Sequence, residues 1–421
     1  MKTYITRSLA AVLLGAAALH VQACDQFVAV DNPNNLETDA IDPNRDATLL
    51  SQSVYQNFTS SIGELPVYQA WFTNRARVGD TFPTRNEVGR RDISNTNSTM
   101  TPFWNNLHKA IQFARSAIAS TQATGPTVDL QRDWFVSGFG ILLQAELYCE
   151  GTIAASTSQS RGKMTTNALL DSAIADLRKV QDIGAKVTGT GATEASNLSM
   201  AAQVGIARAL LQQGKNAQAS VEAAKVPASF RYDIIRIDNS TARSLGNQVW
   251  MYSESRISLV VGPEFRAMAD SGDTRIAYVD AGRLAQDGVL EFYRQNKYKT
   301  WGDFERFASG LEAQYIKVEA DNNPADMLAF INARRAVGKQ PAFPATTDPT
   351  KLLTELMVQK ARDFWLEGLD MADFRRHPDI APYVLKPGAT TYYKPELGPV
   401  QSQTCWPVPQ SELLNNPNWN S

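Results

Sequence analysis

Histidine is scarce in this 421-residue chain, which carries only His20, His108 and His377. A nucleophilic triad or a tetrahedral zinc site needs several such groups to converge, so both chemistries are poorly supplied. HExxH, GxSxG, a P-loop, a dinucleotide fingerprint and an EF-hand-like loop are all missing. No apolar run approaches the ~20 residues a spanning helix needs. Nor is there a basic excess: 41 Lys+Arg stand against 43 Asp+Glu, without the patch or stripe that marks a nucleic-acid binder. Glycoside hydrolysis needs only two carboxylates roughly 5–10 Å apart. Composition alone leaves that open, yet no acid pair stands in an aromatic-rich motif. The chain is read as a non-enzyme without a cofactor or metal.

What is present begins at the N-terminus. Residues 1–7 (MKTYITR) carry Lys2 and Arg7 and no acid, and a dozen apolar residues follow (SLAAVLLGAAAL) before His20-Val21-Gln22-Ala23-Cys24. A basic start, a short apolar stretch and a small residue before the cleavage point make residues 1–23 a secretory signal peptide. Cys24 directly after Ala23 resembles a bacterial lipobox, making its sulfur the predicted lipid anchor. Several acyl chains would hold the protein durably, at ~0.8 kcal/mol per buried methylene. Without the leader, 39 Lys+Arg face 43 Asp+Glu, a mild −4. Residues 24–45, rich in Asn, Pro and Asp (DNPNN, IDPN), read as an extended tether. Outside the cytoplasm the two remaining cysteines, Cys149 and Cys405, more often pair than stay free. Such a bridge would close a loop of some 250 residues, and its geometry cannot be read from sequence.

Residues 46–421 form the body, mostly α-helical by periodicity. Leu49, Val54, Phe58 and Ile62 recur at helical intervals. Asn74 to Met100 is polar and aperiodic and reads as a long loop. Trp104, Leu107, Ile111, Ala114 and Ile118 stripe one helix, and residues 134–149 (WFVSGFGILLQAELYC) are apolar nearly all round, as a buried helix is. Residues 169–184, 197–214 and 216–227 then read as helices separated by Gly breaks. Ala201, Ala202, Gly205, Ala207 and Ala209 permit close crossings, a pattern that resembles tetratricopeptide pairs. Such pairs stack into broad surfaces rather than deep pockets. The helical-repeat scaffold covers about 46–228 and 310–378. Residues 229–309 are a loop-rich insertion without helical period, and 379–421 an irregular tail. The 347–378 stretch reads as one further helix, with Asp348 as cap and Pro349 in its first turn.

Read together and in order, the motifs carry a resemblance. They are Cys24 followed by DNPNN, FPTRNEVGRRDI, FWNNLHKAIQFA, AELYCEG, ARALLQQG, EFRAMADSGDTRI, YRQNKYKTW, EAQYIKVEA, INARRAVG, LMVQKARDFWLEGLDMADFRRHP and CWPVPQSELLNNPNW. The chain resembles the SusD/RagB-like nutrient-binding outer-membrane lipoproteins over nearly its whole length. That resemblance implies a tetratricopeptide-like fold with a variable, loop-rich remainder. It also implies a SusC-like TonB-dependent outer-membrane transporter as partner and an oligosaccharide or other nutrient as ligand. The place it implies is the outer leaflet, held by the lipid. Two departures are a body short for the family, implying trimmed ligand loops, and a single Asp25 where a run of acids is usual. The rival reading is a periplasmic helical-repeat scaffold for a protein partner.

Sugar rings present flat apolar faces rimmed with hydroxyls, so aromatic side chains beside Asn, Asp, Arg or Gln are the sought combination. Two stretches have it: Trp71, Phe72, Arg77, Phe82, Arg85 and Asn86, then Phe292, Tyr293, Asn296, Tyr298, Trp301 and Phe304. Trp71 and Trp301 stand out, being aromatics predicted in polar loops. Trp104, Trp134, Phe364 and Trp365 fall on helical stripes and are assigned to the core. Arg334, Arg335, Arg375 and Arg376 read as ion-paired helix ends, while Arg90 and Arg91 stay open to ligand or partner. His108 reads as a half-buried helix histidine, and His377 as one favoured by a helix C-terminus.

Overall fold

The computed structural model describes residues 42–153, 162–239, 241–380, 382–388 and 392–419. The predicted signal peptide, Cys24 and most of the predicted tether lie outside the described residues. The compact body runs from Ala47 to Ser421.

Its elements are α1 (Pro43–Ser61), α2 (Leu65–Phe72), β1 (Arg77–Val78), α3 (Pro83–Arg90), α4 (Met100–Thr121) and α5 (Val128–Leu147). There follow β2 (Glu150–Gly151), β3 (Met164–Thr165), α6 (Thr166–Gly184), α7 (Ala192–Gln212), α8 (Asn216–Ala223), β4 (Arg231–Ile234), β5 (Leu259–Val260) and α9 (Pro263–Asp270). The chain continues through β6 (Tyr278–Leu284), β7 (Glu291–Gln295), β8 (Glu305–Ser309), α10 (Gly310–Asp321), α11 (Pro324–Val337), α12 (Pro349–Asp363), α13 (Asp370–Arg376) and α14 (Gln410–Asn415).

Consecutive helices from α4 to α8 pack on one another, and α8 packs in turn on α10. Small residues make the tightest crossings possible. A Cβ at Gly138 of α5 would lie 2.8 Å from Leu177, and one at Gly205 of α7 would lie 2.9 Å from both Leu177 and Phe139. Ala201, Ala202, Ala207 and Ala209 are fully buried on the same helix. The stack is thus a tetratricopeptide-like pile of helical pairs with a loop-rich face beside it. Thr127 and Thr165 cap α5 and α6 by accepting from Leu130 N and Ala168 N, and Asp348 caps α12 by accepting from Thr350 N and Lys351 N.

Several boundaries depart from the sequence reading. Asn74–Met100 is not a loop throughout: Pro83 starts the eight-residue α3, which Arg91 ends in the left-handed region at φ 55°. The single helix read over 347–378 is two, because Leu366 (φ 59°) and Gly368 (φ 72°) turn the chain. Phe364 and Trp365 are core residues, as assigned, but at that turn and not on a helical stripe. The 229–309 insertion holds five strands plus α9, with β4 pairing β8 and β6 pairing β7 antiparallel. Leu49 is exposed, so α1 buries Val54 and Phe58 without it, and Ile62 is buried just past the helix end.

The charged residues of the C-terminal motifs tie the scaffold together. Asp363 accepts from Arg334 Nε and Nη2 at 2.7 Å each, Arg275 Nη1 at 3.1 Å and the Tyr315 hydroxyl at 2.5 Å. Arg335 pairs with Glu355, and Arg376 with Glu319 and Asp373. Arg375 differs from the expectation of an ion pair. It donates to the Glu146 and Tyr148 carbonyls at 3.0 and 3.1 Å, satisfying the open C-terminal end of α5. Cys149 and Cys405 are joined by a disulfide, their Cα atoms 5.4 Å apart, and Tyr148 bridges Trp406 beside it.

Candidate functional site

The loop between β7 and β8, residues 296–304, is braced by hydrogen bonds from its own ends. Gln295 organises its start, its Oε1 accepting from Lys297 N (2.8 Å) and Tyr298 N (2.9 Å) and its Nε2 donating to Tyr298 O (2.9 Å). Asp303 organises its end, accepting from the Lys299 and Thr300 amides and, at 3.0 Å, from the Thr300 hydroxyl. Both side chains fold the loop against itself, so what the loop presents is fixed by internal hydrogen bonds.

Next to this loop, β4 and β8 pair from Arg231–Ser309 to Ile234–Glu305, with a bulge between Tyr232 and Asp233. A bulge re-aims the side chains that follow it. Beyond the last pair, Ile235 and Phe304 project from the two chains, 67% and 51% exposed. Loop and strands frame an open cleft of about 610 Å³ lined by Arg231, Asp233, Lys297, Tyr298, Lys299, Gly302, Asp303 and Phe304.

Its electrostatics follow from partners. Arg231 Nε bonds both Asp233 oxygens at 2.8 Å. Lys297 Nζ reaches Trp365 O and Glu367 Oε1, each at 2.6 Å, and Arg306 holds the same carboxylate at 2.7 and 2.9 Å. Burial lowers the Lys297 pKa and Arg306 and Arg231 add to that, against the attraction of Glu367. Burial alone would raise Glu367, yet Lys297 and Arg306 hold it below the usual carboxylate range. Tyr298 is buried, its hydroxyl 3.4 Å from Leu366 O, so it forms cleft wall rather than a free hydroxyl.

The structure redistributes the predicted site. Of the named aromatics, Tyr298 and Phe304 line the cleft. Trp301, in the same loop, packs on Trp250 with centroids 4.7 Å apart and covers Gly246, where a Cβ would collide with its ring. Tyr293 lies under the Arg266 guanidinium, 3.4 Å from its centroid, with Tyr278 edge-on at 5.9 Å. Phe292 is buried.

The first stretch is a different place. Phe82 is exposed and Arg85 stacks over it at 4.7 Å while pairing with Asp80. Asn86 is buried and bonds Asp80 O at 2.8 Å, and Arg77 pairs with Glu264 at 3.3 Å. No hydrogen bond, ion pair or ring contact among the described residues joins Phe82 or Arg85 to Tyr298, Trp301 or Phe304.

Trp71 and Phe72 require correction. Both are fully buried on α2, a helix buried along its whole length, with Trp71 edge-on to Tyr252 at 5.4 Å and Phe72 edge-on to Phe374 at 5.8 Å. The polar residues that made the segment look like a loop begin only after Phe72. Arg91 is corrected likewise: it is buried, bonds the Leu385 carbonyl and lies over Phe374, and desolvation lowers its pKa to about 10. Arg90 pairs with Asp92. His108 stacks on Trp104 at 3.9 Å and contacts Trp104 O at 3.0 Å; His377 bonds Glu319 at 2.9 Å.

The polar lining went unpredicted. Arg231 and Asp233 sit on a strand that carries no alternating pattern, Lys297 and Lys299 lie inside the YRQNKYKTW motif, and Asp303 follows two residues after it. The signal in the second stretch is lysines interleaved with aromatics, Lys297 and Lys299 flanking Tyr298.

The site is thus an open, aromatic-edged cleft on the loop-rich face beside the helical pairs. No family model matches the sequence, and no curated protein matches it. Solved structures do. A SusD-like carbohydrate-binding protein from Bacteroides vulgatus ATCC 8482 matches with TM-score 0.68 at 14% identity, over 89% of this chain and 97% of that one. A SusD superfamily protein from Parabacteroides distasonis ATCC 8503 gives 0.65 at 15%, over 90% and 98%. A SusD/RagB family protein from Bacteroides thetaiotaomicron VPI-5482 gives 0.64 at 15%, over 89% and 94%. The chain has the SusD-like fold. These structures are of comparable length to it, so the body is not short beside them.

Proposed function

We propose that this protein is a non-catalytic glycan-capture lipoprotein, held by Cys24 on the outer membrane, which passes oligosaccharides to a SusC-like TonB-dependent transporter. The observation that carries the reading is the cleft beside Phe304: an exposed aromatic face next to Arg, Lys and Asp side chains on a loop braced by its own hydrogen bonds. Aromatic faces take the apolar faces of sugars, and a few placed polar groups fix their orientation. The SusD-like fold supports it, since structures of that fold include proteins described as carbohydrate binding. The cleft's acids support a binding role over a hydrolytic one, because Asp233 is engaged by Arg231 and Asp303 by its own loop. In general a catalytic acid needs an oxygen within reach of the leaving group.

The test is a glycan array with the full chain, followed by calorimetry on the hits with Phe304→Ala. Binding that the substitution weakens supports the reading; silence across neutral and charged glycans would sink it. Mass spectrometry of Cys24 and protease shaving of intact cells test location. An unmodified thiol, or protection from shaving, would favour the periplasmic scaffold instead.

A further inference from the structure

The polar groups around the cleft are unequally engaged, and what this implies rests on the glycan-capture reading. The acids are already engaged: both Asp233 oxygens accept from Arg231 Nε, Asp303 accepts from its own loop, and Glu367 behind the wall accepts from Lys297 and Arg306. The cations are not. Arg231 engages Asp233 through Nε alone, its side chain is half exposed, and its terminal nitrogens have no partner among the described residues. Lys299 is exposed, and its ammonium likewise has no partner among them. Lys297 is held behind, committed to Trp365 O and Glu367. The cleft therefore offers free cationic donors beside an apolar ring, while each of its acids is already paired with a cation or a loop group.

We infer that the cleft selects anionic glycans, with a pyranose face on Phe304 and a carboxylate or sulfate ester of the sugar between Arg231 and Lys299. Both anions share the chemistry that a guanidinium and an ammonium recognise, planar or trigonal oxygens accepting charge-assisted hydrogen bonds. Two such contacts together are expected to give the charged ligand roughly ten-fold in affinity over its neutral counterpart, about 1.4 kcal/mol. Because the cations are exposed, added salt erodes that gain.

Calorimetry with the full chain decides it, using three matched probes: a neutral galacto-oligosaccharide, an oligogalacturonate of equal length, and a sulfated galacto-oligosaccharide. The expected result is binding of one or both charged probes about ten-fold tighter than the neutral one. The preference shrinks at high salt, and Lys299→Ala brings the charged probe down to the neutral one's affinity. Which charged probe wins separates carboxylate from sulfate. Equal affinity for all three, or a preference that Lys299→Ala leaves intact, overturns the inference while glycan capture stands. No binding of any probe, with silence on the array, fails the underlying reading instead.

Discussion

Glu146, near the end of α5, makes a quantitative prediction about stability. It is buried, and its nearest cation is Arg208, whose Nη1 lies 3.7 Å from Glu146 Oε2. Arg208 Nε is already committed to Glu312 at 2.7 Å, so one guanidinium serves two buried carboxylates. Glu146 Oε1 has no hydrogen-bond partner. Burial therefore dominates and raises the Glu146 pKa to about 7 from 4.5, with Arg208 opposing and Glu312 reinforcing the shift. A folded pKa above the unfolded one means the native state holds a proton that the unfolded state releases. Stability is then fullest below the unfolded value and is lost as pH rises through the folded one. At about 1.4 kcal/mol per pKa unit, Glu146 costs the fold on the order of 3 kcal/mol between pH 4.5 and 7.5. Glu146→Gln keeps the shape and removes the titration. Urea melts of wild type and variant should show the variant gaining about 2–3 kcal/mol on wild type between pH 5 and pH 8. A difference independent of pH would refute the argument that Glu146 is the surplus carboxylate.

Other expectations follow from packing and from the site. Phe304→Ala should weaken glycan binding about ten-fold without moving the melting temperature, since an exposed ring carries ligand contact rather than core; equal losses of both would contradict this. Trp71→Ala should do the reverse, costing about 3–5 kcal/mol of stability because the ring is wholly enclosed, as chemical denaturation would measure. Gly205→Val should destabilise by about 1–3 kcal/mol or more, since its Cβ would enter Leu177 and Phe139, whereas Gly214→Ala, with open space around it but φ of 71°, should cost only backbone strain of about 1 kcal/mol. Cys405→Ser should lower stability by about 2–5 kcal/mol, read as a melting shift that reducing agent reproduces in wild type and leaves unchanged in the variant.

The helical scaffold was legible because its signals are local. Period and small residues located α4 to α8, and Asp348-Pro349 marked a start that the cap geometry of α12 matches. Breaks were harder: Leu366 at φ 59° turns the chain two residues before Gly368, so the run read as one helix over 347–378 is two. The site was half legible. Composition pointed to the stretch holding Tyr298, Trp301 and Phe304, but which ring faces solvent depends on packing partners distant in sequence. Trp301 meets Trp250 and Trp71 meets Tyr252, contacts no window of residues can register. The cations Arg231 and Lys299 share a cleft only because β4 pairs with β8 across some seventy residues. Short strands, bulged and without alternation, give no such signal.

Hydrogen–deuterium exchange on the full chain, with and without a saturating oligosaccharide drawn from the array, addresses the central claim most directly. Ligand should slow exchange in residues 231–237 and 297–305 and leave the α4–α8 stack unchanged. Protection confined to the α2–α3 region around Phe82, or to the helical stack, would place capture elsewhere and contradict the account.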